Sequence, residues 1–128
     1  MAFLLDTNVA IHLRDGDIVT IARIEKLPLL PILSVISRVE LEGGVYSRPD
    51  LSEKRRVAVD LMFARLVVLD FDSASAKVYG GIIAAIGFSR RKLVDRMIAA
   101  TAIVHNLTLI TMNSDDFTDV PGLKIESW

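Results

Sequence analysis

Four acidic residues, Asp6, Glu40, Asp95 and Asp116, stand just after or beside apolar segments of a 128-residue chain. Asp6 closes the apolar run 2–5, and Asp116 follows the run 107–111 by a few residues. Glu40 falls early in a helical pattern that follows a short apolar segment at 32–33. Asp95 opens a helix whose other face is built from Ala99, Ala100, Thr101 and Ala102. Small side chains let such a helix lie close to a sheet and carry Asp95 toward the other acids. Converging carboxylates repel one another unless they protonate, pair with basic groups or bind a cation. An all-oxygen set suits a hard ion, Mg²⁺ or Mn²⁺, rather than zinc. Such an ion lowers the pKa of a water and stabilises charge on a phosphate, which is the chemistry of phosphodiester hydrolysis. Each acid also has a plainer use. Glu40 completes a capping box with Ser37, Asp116 favours a helix start near Asn113, Asp6 opens a turn, and Asp95 pairs with Arg91 or Arg96. The signal is that four of them share one expected end of a sheet.

The elements that must position these acids are short apolar strands alternating with helices. Strands are expected at 2–5, 32–33, 66–69 and 107–111, with a last edge strand at 123–125. Thr7 or Asn8 caps a short helix over 9–13, and a second helix runs from 18 to about 26. A third, over 37–43, ends at Gly43-Gly44. The helix over 52–65 turns Val57, Leu61 and Ala64 inward. Asp72 or Ser73 caps a helix to about 86, where Gly87 ends it. The last helix spans 93–105, and Asn113 caps a short turn. Strands without alternation, interleaved with helices, imply an α/β fold with a largely parallel sheet covered on both faces. Ligands then gather outside the carboxyl ends of the strands.

Composition narrows the options. Hydrophobic residues make up 52% of the chain, too many for disorder, and one domain spanning 1–128 fits the length. Without cysteine there is no disulfide, thiolate nucleophile or thiolate metal site. No signal segment or membrane helix is expected, and a reducing, cytoplasmic setting fits. The formal charge of −1, from 15 basic and 16 acidic residues, argues against holding nucleic acid by bulk positive charge. The charge is locally uneven, however. Lys54-Arg55-Arg56 and Arg90-Arg91-Lys92 are basic triplets, and Arg14 and Arg38 lie near the acids in sequence. Arg90, Arg91 and Lys92, placed just before the Asp95 helix, are the favoured contacts for nucleic-acid phosphates. Phe3 and Phe71 read as core and Phe88 as a packed loop anchor. Met62 and Phe63 also read as core. Tyr46 and Tyr79 are candidates for an association surface. His12 and His105 belong to no metal cluster and suggest no histidine-based acid–base mechanism.

The segments Leu4-Leu5-Asp6-Thr7-Asn8-Val9, Ser34 through Gly44 with Glu40-Leu41, Asp95-Arg96-Met97-Ile98-Ala99-Ala100-Thr101-Ala102, and Asn113-Ser114-Asp115-Asp116-Phe117 occur in an order that resembles the PIN domain family. Within it they are similar to the small toxin ribonucleases of the VapC type, over essentially the whole chain. The resemblance implies a three-layer α/β/α sandwich around a mostly parallel sheet of about five short strands. It implies a Mg²⁺- or Mn²⁺-dependent endoribonuclease with Asp6, Glu40, Asp95 and Asp116 around the metal, and polar support from Thr7, Asn8, Thr111 or Asn113. It also implies a homodimer inhibited by a cognate VapB-type antitoxin whose tail occupies the cleft, with operator DNA met only through that antitoxin. Met112 stands where the family often has arginine. Asp115 beside Asp116 leaves the fourth acid ambiguous by one residue, with the phase of Asp-Phe favouring Asp116. Glu42, about 200° around a helix from Glu40, is not expected to face the same ion.

Other readings fit less well. A noncatalytic PIN-like module that binds RNA or protein would be expected to lose acids, and four are present. A phosphoacceptor receiver domain wants paired acids after its first strand and a late lysine; Asp6 is followed by Thr7-Asn8, and Lys124 is poorly placed. Phosphatases with a strand-one nucleophile show Asp-x-Asp, which Asn8 breaks.

Overall fold

The structure is a computed structural model and describes residues 2–128. It contains five short strands: β1 (Phe3–Leu5), β2 (Leu33–Ser34), β3 (Val68–Leu69), β4 (Thr108–Thr111) and β5 (Lys124–Ser127). β1 pairs with β4 and β4 with β5, all parallel, while β2 pairs in parallel with β3. A parallel bridge between Leu4 and Ile32 joins the two pieces, with Ile32 donating to the Phe3 carbonyl and Leu5 to the Ile32 carbonyl. The resulting order is β3-β2-β1-β4-β5. The expected parallel α/β sheet is present, and the chain reverses its winding direction between β1 and β4.

Six helices cover the sheet: α1 (Thr7–Arg14), α2 (Ile18–Glu25), α3 (Val35–Ser47), α4 (Ser52–Arg65), α5 (Ser73–Ile86) and α6 (Leu93–Val104). Phe3, Leu5 and Ile110 point to a core shared with Val9 and Ala10 of α1, Leu41 and Val45 of α3, and Val59 and Met62 of α4. Leu4 and Leu109 point the other way, onto Ile82 of α5 and Ile98, Ala99, Ala100 and Ala102 of α6. Successive side chains of a strand face opposite sides, so two cores on two faces make the three-layer sandwich. The alanines of α6 are fully buried, as their small size predicted.

Three local readings are corrected. α3 starts two residues before Ser37 and passes through Gly43-Gly44 to Ser47. Ser34 is its cap, accepting from the Ile36 amide at 3.0 Å, so Ser37 and Glu40 form no capping box. Gly44 is not a terminator; it clears space for Arg14, whose Nη1 would lie 2.9 Å from a Cβ there. On α4, Val57 and Leu61 face outward and Val59 and Met62 inward, a phase set by contact with α1 and α3 rather than by apolarity. Phe88 is no packed anchor: it is 68% exposed. Phe3 and Met62 are buried, and Phe63 packs against the first core beneath Arg38.

Candidate active site

The carboxyl ends of β1, β2 and β4 open on one pocket of 270 Å³, lined by Asp6, Thr7, Asn8, Ile11, Glu40, Asp95, Asn113 and Asp116. Asp6 leaves β1 and caps α1, its Oδ1 accepting from the Thr7 amide at 2.8 Å. Neither Thr7 nor Asn8 is the cap. Its Oδ2 accepts from the Thr111 hydroxyl, at the end of β4, at 2.7 Å. Glu40 reaches the pocket from the second turn of α3, and its Oε1 accepts from Thr7 Oγ1 at 2.6 Å. Having given its proton to Glu40, Thr7 must accept from Ser37, whose Oγ lies 2.9 Å away. A relay of neutral donors, Ser37 to Thr7 to Glu40, thus orients the carboxylate. Ser37 is fully buried and belongs to this support. The i,i+3 spacing of Ser37 and Glu40 on one helix face was the signal that could have placed it there.

Asp95 enters from the first turn of α6. Asp116 sits in a 3₁₀ turn, Ser114–Asp116, anchored by the buried ring of Phe117. Asp115 is exposed and lines a neighbouring pocket with Asp116, not the one holding the other three acids. The loop after β4 is fixed by Asn8, which accepts from the Met112 amide at 3.4 Å, and by Thr111, which accepts from the Asn113 amide at 3.0 Å. Asn113 caps the 3₁₀ turn without a side-chain hydrogen bond. Glu42 points elsewhere: Arg56 grips both of its oxygens at 2.6 and 3.1 Å, and Arg38 lies 3.6 Å away.

The acids act on one another electrically. Burial is the main cause raising the Asp6 carboxyl pKa, and Glu40 and Asp116 raise it further against the lowering effect of Thr111 and Thr7. Asp95 is pushed up to about 6, first by burial and then by Asp6, Asp116 and Glu40, with Lys92 opposing. Arg96, adjacent in sequence, turns away and donates to the Gly87 carbonyl at 2.7 Å. No arginine neutralises this pocket, so the plainer use of Asp95 as a salt-bridge partner is not realised. Among the described residues, no three of these acids are drawn together tightly enough to cage an ion by themselves. An open, all-oxygen pocket fits instead a hard cation that keeps several of its waters, as Mg²⁺ does.

The basic residues sort differently from their order in sequence. Arg90 and Arg91 are exposed in the loop before α6. Lys92 turns inward, 3.8 Å from Asp119 and near enough to Asp95 to lower its pKa. Arg56 is committed to Glu42 and Asp60, and Arg55 to the Gly44 carbonyl. Arg14 pairs with Asp15, and Arg38 lies over the Phe63 ring, so neither enters the pocket. His12 is exposed and its Nδ1 donates to the Asn8 carbonyl at 2.8 Å; His105 is also exposed.

A parallel sheet with this winding, bearing four acids at its carboxyl ends, defines a class that comparison with known proteins identifies. Residues 3–123 match the PIN domain family. The chain is 28% identical to the ribonuclease VapC2 of Rickettsia felis, over 100% of this chain and 98% of that protein. It is 30% identical to a tRNA(fMet)-specific endonuclease VapC of Shigella flexneri, with the same coverage. Among solved structures it superposes on VapBC2 of Rickettsia felis bound to a promoter DNA fragment. The TM-score is 0.86 at 26% identity, covering 100% of this chain and 99% of that one. DNA-bound VapBC of Salmonella typhimurium gives the same TM-score at 29% identity, covering 100% and 98%. The chain belongs to the PIN domain family, in the branch of these VapC ribonucleases.

Proposed function

We propose that this protein is an endoribonuclease that hydrolyses RNA phosphodiester bonds with a divalent cation, Mg²⁺ or Mn²⁺, and is the toxin of a type II toxin–antitoxin pair. The nuclease activity follows from its similarity to the VapC ribonucleases along its full length. The observation that carries the metal-dependent reading is the convergence of Asp6, Glu40, Asp95 and Asp116 on one pocket whose lining contains no lysine or arginine. These four residues would hold the cation, which when bound supplies Lewis acidity for hydrolysis at a phosphate. The chain's own groups do the positioning. Thr111 and the α1 amide end fix both oxygens of Asp6, and Ser37 and Thr7 fix Glu40. Asn8 and Thr111 hold the loop that carries Asp116, and Asn113 lines the pocket. Arg90 and Arg91 are exposed in the loop that leads into α6, the helix that carries Asp95, and are suited to phosphate contacts that orient RNA without reading its sequence. Lys92, turned toward Asp95, contributes positive potential at the pocket edge.

The solved relatives, VapBC complexes bound to DNA, support a cognate VapB-type antitoxin as partner, with DNA reached through it. Homodimerisation and a cytoplasmic location complete the proposal. No helix among the described residues is long and apolar enough to cross a membrane. The test is cleavage of defined RNAs by the purified protein with Mg²⁺ or Mn²⁺, with chelator, and with Asp6→Asn. Activity that survives chelation, or persists at full rate in the variant, overturns the metal-dependent reading.

A further inference from the structure

A second pocket lies away from the acids, at the opposite end of α1. It has a volume of 190 Å³ and is lined by Arg14, Asp15, Leu51, Lys54 and Arg55. The eight residues of α1 put it about 12 Å along the helix axis from Asp6. Three cations face one anion there, the reverse of the acid pocket. Arg14 is held rigidly: its side chain is 5% exposed, and its Nε and Nη2 donate to Asp15 at 2.9 and 3.2 Å. Its Nη1 rests on α3 where Gly44 lacks a side chain. Arg55 donates from Nη1 to the Gly44 carbonyl at 2.7 Å, while its buried Nε has no acceptor. A buried donor without a partner is destabilising, and it is most readily satisfied by an anion.

Arg14 also borders a neighbouring trough of 390 Å³ whose walls include Leu13, Ile24, Leu30, Leu61 and Leu66. Leu30 is 72% exposed and Leu61 48%. We propose that Arg14, Lys54 and Arg55 form a carboxylate socket, receiving one acidic side chain of a bound protein segment whose aliphatic residues fill the trough. Charge complementarity and the continuity of an aliphatic wall with a cationic end select a protein segment over RNA. A nucleic-acid strand would need an aromatic platform beside the socket, and the trough has none: its lining is apolar apart from Arg14 and Arg65. The inference rests on the toxin–antitoxin reading for its partner, the antitoxin, and goes beyond it in naming the chemical group recognised and its site.

The experiment is calorimetric titration of the purified toxin with its cognate antitoxin. Lys54→Glu and Arg55→Gln in the toxin are crossed with single Asp→Asn and Glu→Gln changes along the antitoxin. Lys54 is exposed, so its variant should fold normally. The expected result is a Kd at least about tenfold weaker for Lys54→Glu, matched by one antitoxin carboxylate whose neutralisation in that background restores affinity by relieving repulsion. RNA cleavage by the free toxin should stay at the wild-type rate. An unchanged Kd, or losses that add for every carboxylate, overturns the socket. So does a variant that keeps antitoxin affinity but shows a shallower salt dependence of RNA binding, which would make the socket a phosphate contact. Loss of RNA cleavage in the unmodified protein, with carboxylate coupling retained, would count against the nuclease reading and not against the socket.

Discussion

Glu40 and Glu42 stand two residues apart on α3 and have opposite surroundings. Glu42 is gripped by Arg56, with Arg38 beside it, in a chain of ion pairs that continues to Asp60. Glu40 accepts from the hydroxyl of Thr7 and shares its pocket with three more acids and no arginine. The same residue type is paired with arginine on one face of the helix and set among other acids, without an arginine, on the other. Paired surface charges contribute modestly to stability and need nothing from outside. Unpaired, partly buried carboxylates destabilise the protein alone and become favourable only when a cation arrives. On the proposed reading, the contrast separates acids that serve the fold from acids reserved for a ligand.

The sharpest way to break this contrast is Asp6→Asn. It removes the most buried acid while keeping an oxygen toward Thr111, and RNA cleavage should fall by at least about 100-fold, a loss of about 3 kcal/mol in transition-state stabilisation. Single-turnover cleavage at saturating Mn²⁺ measures it, and a loss under tenfold would make Asp6 structural. Thr111→Val acts on the same carboxylate from outside. It leaves Asp6 Oδ2 buried without its donor, and should lower stability by about 1–3 kcal/mol in denaturant titrations. Cleavage should fall less than in Asp6→Asn, because no acid is lost.

Much of this arrangement was legible because strands buried on both faces are continuous apolar runs, and a parallel sheet brings their carboxyl ends to one side. Asp6, Glu40, Asp95 and Asp116 could therefore be grouped from their places after or beside such runs. What was not legible depends on contacts across the fold. Gly43-Gly44 looks like a helix end until Arg14 is seen to occupy the space beside Gly44. Val57 and Leu61 look like core until α1 and α3 select Val59 and Met62 instead. Phe88 looks like an anchor, since an aromatic beside Gly87 in a loop commonly packs, yet here it projects into solvent. In the basic triplets, spacing cannot show that Arg56 is committed to Glu42 while Arg90 and Arg91 remain exposed.

A smaller effect follows from protonation. Asp6 and Asp95 have carboxyl pKa values raised in the folded protein, Asp95 to about 6, against about 3.9 for an unfolded aspartate. The folded state therefore binds more protons between these values. Without metal, stability from these groups should fall as pH rises from about 4 to about 6 and stay low above that. Asp95→Asn should remove much of this dependence and stabilise the metal-free protein at pH 7 by on the order of 1 kcal/mol, after allowing for its partial exposure. Thermal melts in chelator across pH test both. Added Mn²⁺ should raise the wild-type Tm at pH 7 more than that of the variant. A flat pH profile would mean that the acids do not sense one another.

The smallest expected effect belongs to the paired face. Glu42→Gln removes the charge that Arg56 and Arg38 share, but all three groups reach solvent, and Asp60 still pairs with Arg56. Solvent screens such pairs, and an amide keeps one acceptor for the guanidinium, so Tm should move by no more than about 2 °C. The gain in stability on adding Mn²⁺ should be unchanged, because Glu42 faces away from the pocket. Glu40→Gln, two residues away, should do the reverse. It relieves repulsion in the metal-free protein and reduces the response to Mn²⁺. If the two substitutions instead shift the metal response equally, the ion is attracted by the general negative potential of α3 rather than held by the pocket, and the division between structural and ligand-directed acids fails.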